Sequence, residues 1–239
     1  MNDDASTTAS TSLTLFQRVL DVAQVLADLK APWYVAGGWA IDLYLNESRR
    51  NHKDVDLAVF RRDQLEIQSY LLDIGWELYK YVGDSVAVER MWVAEQLELP
   101  DRGILGRPPV VAEPIDAVLP AVDLLLSETD GVQWWYHADP RITHALETVG
   151  LRSRLGVPIL SPEIVLLFKA RHVYESDPES LLHRQADDGD FNAVERWLPA
   201  ESRSWLNRAL ELLYPGHAWL DRLRQNVGLG RQEQSDHLP

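Results

Sequence analysis

Asp54 and Asp56 stand two residues apart in the run Asp54-Val55-Asp56-Leu57-Ala58-Val59-Phe60, which alternates as a half-buried strand does. Residues two apart on a strand share a face, so the spacing predicts two carboxylates side by side, roughly 7 Å apart. Their mutual repulsion is costly on a core face unless a cation sits between them. Hard carboxylate oxygens suit Mg²⁺, which completes its shell with water and the phosphates of a substrate. Upstream, Gly37-Gly38 follows the apolar run Val35-Ala36 and leads into a helical pattern. A glycine pair at such a junction lets backbone N–H groups approach a phosphate at the positive end of a helix. Strand, glycine pair, helix and acid-bearing strand together read as a place to hold a nucleoside triphosphate with its magnesium. Arg50 and His52 lead into the acids.

The elements that must position these groups follow from the pattern on either side. Leu13, Phe16, Val19, Leu20, Ala23 and Leu26 recur at helical spacing and predict a helix over about 12–30, stopped by Pro32. Trp33-Tyr34-Val35 begins the first strand, and residues 39–45 form a short helix ending near Asn46. Trp39 reads as core, and Asp42 as a group that caps or orients its neighbours. Asp63 starts a helix that Gly75 ends. Residues 76–82 alternate as a strand, with 86–93 as its hairpin partner. The stretch 94–120 carries Pro100, Pro108, Pro109, Pro114 and Pro120 and reads as a long loop bordering an acceptor pocket. Residues 121–128 form the next strand, and Asp130-Gly131 turns into Trp134-Trp135-Tyr136-His137.

Asp123 lies within that otherwise Leu/Val-rich strand, where an Asp is locally disfavoured, and is the foremost candidate for a third carboxylate. The competing reading is the exposed face of an edge strand. Glu128 ends the same strand on the other face and is the alternative, with Asp116 a further one. In the C-terminal part, Ser161, Pro162 and Glu163 supply N-cap, first position and first-turn acid for a helix to about Tyr174. Residues 176–190 read as an acidic loop. Helices over about 188–198, 200–213 and 216–227 follow, with Trp197, Trp205, Leu206, Leu210, Leu213 and Trp219 as core. The predicted boundaries are a disordered 1–11, a first domain over 12–155, a helical domain over 156–227 and a tail over 228–239.

Gly37-Gly38-Trp39 with Arg50-x-His52-x-Asp54-x-Asp56 resembles the signature of the polymerase-beta-like nucleotidyltransferase superfamily. The Trp after the glycine pair, and the His two before the first Asp, are similar to the aminoglycoside (2″)-type and lincosamide nucleotidyltransferases. Segments around 156–170, Asp190-Phe191 and Pro215-Gly216-His217-x-Trp219-Leu220 resemble the same group. The resemblance implies an α/β (α+β) fold, with a small mixed sheet flanked by helices and followed by a C-terminal helical domain. It implies one or two Mg²⁺ held by Asp54, Asp56 and Asp123, with Asp123 or Glu128 as general base. It places Gly37, Gly38, Arg50, His52 and Lys169 on the nucleotide side, His52 orienting the metal-site loop and Lys169 reaching the triphosphate. A surface Lys whose stem lies along apolar neighbours is the other reading of Lys169. The implied reaction moves a nucleoside monophosphate, AMP from ATP or its counterpart from another NTP, to a hydroxyl of a small acceptor such as a cationic antibiotic. A protein or tRNA acceptor, or an inactive nucleotide-binding sensor, are the alternatives.

Composition limits the choices further. The 239 residues can bury a substantial core, and 46% hydrophobic with 25% charged residues is ordinary for a globular protein. A net charge of −14 argues against a nucleic-acid partner and permits a polycationic small substrate. The chain contains no Cys, which removes disulfides and thiolate chemistry. It has no apolar run long enough for a membrane span, and its polar, acidic start lacks signal-peptide features, so a cytoplasmic protein is expected. A Walker A loop, a Rossmann glycine triplet, a Gly-x-Ser-x-Gly elbow and an H-E-x-x-H zinc motif are all absent.

Overall fold

A computed structural model of the protein describes residues 15–83, 87–109 and 119–225. The readings of residues 1–11 and 228–239, and the candidate Asp116, lie outside the described residues. The chain divides after Leu160 into two compact units.

In the first unit, α1 (Gln17–Val25) buries Val19 and Val22 and is shorter than its periodicity predicts. Next come β1 (Trp33–Val35) and α2 (Gly37–Leu45), which ends on Asn46 in the left-handed region. The glycine pair is therefore the first turn of α2, entered from an extended Ala36, and not a separate turn ahead of it. Then follow β2 (Val55–Phe60), α3 (Gln64–Asp73), and the hairpin of β3 (Glu77–Tyr81) and β4 (Val88–Arg90). Six further strands complete the unit: β5 (Gly103–Arg107), β6 (Val122–Thr129), β7 (Gln133–Tyr136), β8 (Asp139–Ala145), β9 (Gly150–Arg152) and β10 (Pro158–Leu160).

The sheet runs β4-β3-β5-β6-β2-β1-β10-β9, and the β7–β8 hairpin attaches through β6. It is mixed: β2 pairs with β6, and β1 with β10, in parallel, while the other neighbours are antiparallel. It holds more strands than the alternation signals. The expected loop over 94–120 contains β5, which lies inside the sheet between β3 and β6. Gly103-Ile104-Leu105-Gly106 carries two glycines and offers little local strand preference, so its two flanking strands decide its conformation. Both acid-bearing strands are interior, and Val55, Leu57, Ala58, Val59 and Phe60 of β2 are all buried. Asp123 is accordingly not on an edge strand.

The second unit consists of α4 (Pro162–Tyr174), α5 (Pro178–Val194), α6 (Ala200–Leu213) and α7 (Trp219–Gln225). The acidic stretch 176–190, read as a loop, is mostly helix. Asp177 starts it by accepting the Ser180 backbone N–H at 3.1 Å. The acids Asp187 and Asp190 then turn one face toward α4, where Lys169 lies 3.0 Å from Asp190 and is also paired with Asp187. His172 Nδ1 sits 2.7 Å from Asp187. Burial alone would lower the Lys169 pKa, but the Asp190 and Asp187 carboxylates outweigh it and hold the ammonium above its ordinary value. Phe191 stacks on Trp219 at 4.2 Å, and Trp197 is exposed, contrary to its expected core position. His217 accepts the Trp219 N–H on Nδ1 at 3.1 Å and donates from Nε2 to the Ala170 carbonyl at 3.0 Å. Among the described residues no helix is long and apolar enough to cross a membrane.

Two predictions follow from this packing. Lys169→Met leaves two buried carboxylates without their cation and is expected to destabilise the protein by about 3–5 kcal/mol, read from chemical denaturation. Burial pushes the His217 imidazole pKa below its ordinary value, against the pull of the Ala170 carbonyl and Asp188. Protonation is thus resisted in the folded state, so stability is full above about pH 6.5 and declines as the pH falls through that value. Melting curves at about pH 7.5 and about pH 5.5 are expected to show a smaller acid-induced loss for His217→Gln than for wild type.

Candidate active site

The site is built where α2 starts and β2 and β6 run side by side. The Ala36 N–H donates to the Asp56 carbonyl at 2.8 Å, tying the head of α2 to the acid-bearing strand. Gly37 has φ +60°, and a Cβ there would collide with the Asp56 carboxyl oxygen Oδ2. Glycine is therefore required twice at this position, by the backbone conformation and by the carboxylate lying against it. A Cβ on Gly38 would meet the Arg50 guanidinium and the His52 ring, the latter 2.6 Å away at Nδ1. The space left by the two missing side chains is filled by Asp56, Arg50 and His52. Backbone N–H groups of the first helical turn have no intrahelical acceptor, so this corner joins an acid to a cationic, N–H-rich helix start.

Asp42 fixes the loop that carries these groups. It is buried on α2, one turn beyond Gly38 and on the same face. Its carboxylate lies 2.8 Å from His52 Nε2 and accepts from Arg49 Nε at 2.7 Å and from the Arg49 backbone N–H at 3.2 Å. The His52 ring packs on Trp39 with centroids 4.4 Å apart. The sequence reads Asp42 as a group that caps or orients its neighbours, and it orients Arg49 and His52.

The acids divide differently from the sequence expectation. Strand β2 begins at Val55, so Asp54 sits in the exposed bend before it, and only Asp56 lies on the strand. The nearest strand neighbour of Asp56 is Asp123, its register partner on the parallel strand β6. Burial, reinforced by the charge of Asp54, pushes the Asp123 carboxyl above its ordinary pKa. The Tyr81 hydroxyl works the other way by donating to Asp123 Oδ1. Burial and that hydrogen bond raise the Tyr81 phenol, and the charges of Asp54 and Asp56 add to the shift. Tyr81, which the sequence reading missed, thus hydrogen-bonds to Asp123 and feels the charges of Asp54 and Asp56.

Glu128 is not in this group. It takes part in an ion pair with Arg61 at 2.6 Å, and Arg61 also donates to the Leu97 carbonyl at 3.1 Å. Five residues separate it from Asp123, which puts it on the opposite face of β6, about 17 Å farther along. Lys169 belongs to the second unit and is engaged by Asp187 and Asp190. Among the described residues no three acidic or His side chains converge closely enough to form a ready metal cluster. The donor set nevertheless fits a hard divalent cation: carboxylates in register on adjacent strands, with a third on the bend beside them.

The crowding at Gly38 can be tested directly. Gly38→Ala must displace Arg50 and His52, and is expected to cost about 1–3 kcal/mol of stability in denaturant titrations. A variant as stable as wild type would show that the corner has room for a side chain.

Comparison with known proteins places this geometry. Residues 18–96, which include the glycine pair, Arg50, His52 and both aspartates of the motif, match the family model described as aminoglycoside-2''-adenylyltransferase. A 2''-aminoglycoside nucleotidyltransferase from Klebsiella pneumoniae is 27% identical over 141 residues, covering 54% of this chain and 76% of that protein. Among solved structures, an antigenic nucleotidyltransferase-like protein from Paracoccidioides brasiliensis superposes with a TM-score of 0.50 at 18% identity, over 89% of this chain and 92% of that one. ANT(2")-Ia in complex with adenylyl-2"-tobramycin gives a TM-score of 0.46 at 17% identity, over 92% and 98%. The chain is thus similar to the aminoglycoside-2''-adenylyltransferases over residues 18–96, and its fold is like that of the nucleotidyltransferase-like protein.

Proposed function

We propose that the protein transfers a nucleoside monophosphate, AMP from ATP, to a hydroxyl of a small cationic antibiotic of the aminoglycoside or lincosamide kind, with Mg²⁺ as cofactor. The observation that carries this reading is Asp56, lodged against the bare backbone of Gly37 and in register with Asp123. The name of the Klebsiella pneumoniae relative supports the acceptor class, and the net charge of −14 favours a cationic acceptor.

Asp54, Asp56 and Asp123 hold the cation, which would offset charge at the reacting phosphate when bound. Backbone N–H groups of Gly37 and Gly38, with Arg50, receive the triphosphate. Asp123 takes the proton of the acceptor hydroxyl as that oxygen bonds to the α-phosphorus and the bond to pyrophosphate breaks. Asp42 keeps His52, and with it Arg49, in place behind the glycine corner.

Pyrophosphate release, screened over aminoglycosides and lincosamides with each NTP and Mg²⁺, tests the reading. Turnover is expected with at least one acceptor, and Asp56→Asn is expected to lower it by about 100-fold or more with an unchanged melting curve. Nucleotide binding without pyrophosphate release for any acceptor would instead describe a sensor.

A further inference from the structure

Tyr81 ends β3, two strands away from β6, with β5 lying between them. Its ring spans that gap by passing over Gly103 of β5, where a Cβ would lie 3.5 Å from the ring edge. Gly103 and Leu105 pair with Leu125 and Asp123 of β6, so the ring crosses close to the Asp123 position. The crossing ends in a hydrogen bond from the Tyr81 hydroxyl to Asp123 Oδ1.

A carboxylate beside two others is pushed to rotate away from them, because each like charge nearby raises its energy. Something must hold it in place if it is to serve the site. A Lys or Arg would do so by cancelling the charge that the cation and the acceptor proton both need. A phenol does so with a neutral donor.

We propose that Tyr81 is a positioning residue for nucleotidyl transfer, fixing one oxygen of Asp123 so that the other is presented to the cation and the acceptor hydroxyl. The inference rests on the transferase reading given above.

Tyr81→Phe removes a single oxygen and leaves the ring over Gly103. The kcat for pyrophosphate release is expected to fall about 10- to 100-fold, as for loss of a hydrogen bond to a charged group. KM for nucleotide and for acceptor should stay within about twofold, and the melting curve should not move. In an Asp123→Asn background the same change should cost nothing further, because the two residues act as one unit. A Tyr81→Phe enzyme with wild-type kcat overturns the proposal, as does an equal loss in both backgrounds, which is the mark of a purely structural tyrosine. A wild-type protein that releases no pyrophosphate with any acceptor overturns the transferase reading and this inference with it. An active wild type beside an unaffected Tyr81→Phe overturns the inference alone.

Discussion

The parallel pairing of β2 with β6 is the constraint on which the site depends, because its register alone seats Asp56 beside Asp123. Side chains alternate along a strand, so a slip of one residue would send Asp123 to the opposite face. Apolar pairs on both sides of the acids hold the register: Val55 with Val122, Leu57 with Leu124 and Val59 with Leu126. All six are buried. The acids ride on a registration set by the core, and neither strand has an open edge along which to shift. Folding energy from apolar burial thereby opposes the electrostatic cost of gathering carboxylates.

The same logic explains the glycine corner. Asp56 can stand where it does only because Gly37 lacks a side chain, and Arg50 and His52 only because Gly38 does. The chain between α2 and β2 must therefore return tightly over the head of the helix. Asp42 secures that return with a buried carboxylate bound by Arg49 and His52, both of which lie in the returning segment. A buried carboxylate is tolerated when it is paired and hydrogen-bonded, and each of its oxygens here has a partner. The carboxylate inside the helix is thus compensated locally.

Much of this arrangement is legible in the sequence, and what is not has physical causes. Gly37, Gly38, Asp54 and Asp56 are readable because their spacing is short and each residue breaks a local preference. Asp123 is readable for the same reason, as an acid in an apolar strand. Tyr81 is not, since nothing in the alternation of residues 76–82 tells Tyr79 from Tyr81, and the distinction requires knowing that β5 separates β3 from β6. Strand β5 is itself hidden by its glycines and by the prolines on either side, its conformation being imposed by long-range pairing. Helix α5 looks like a loop because its acids suggest a solvated segment. Their partner Lys169 is far away in sequence, and only tertiary contact turns Asp187 and Asp190 into an inward face. Local rules report exceptions well and partners poorly.

Charges of both signs meet at the glycine corner. Arg49 and His52 are held by Asp42, and Arg50 packs on Gly38. Asp56 lies against Gly37 at the same corner, and on β6 the side-chain donor met by Asp123 is the uncharged hydroxyl of Tyr81. In the proposed reaction a triphosphate would turn its oxygens toward the helix start and Arg50, with its magnesium toward the acids. Were Asp123 held by a Lys or Arg, as Lys169 holds Asp187 and Asp190 in the helical unit, its charge would be cancelled. Two acidic groups of similar composition thus differ in their chemistry. One is closed by an ammonium and serves packing, while in the other a phenol, a neutral donor, holds Asp123.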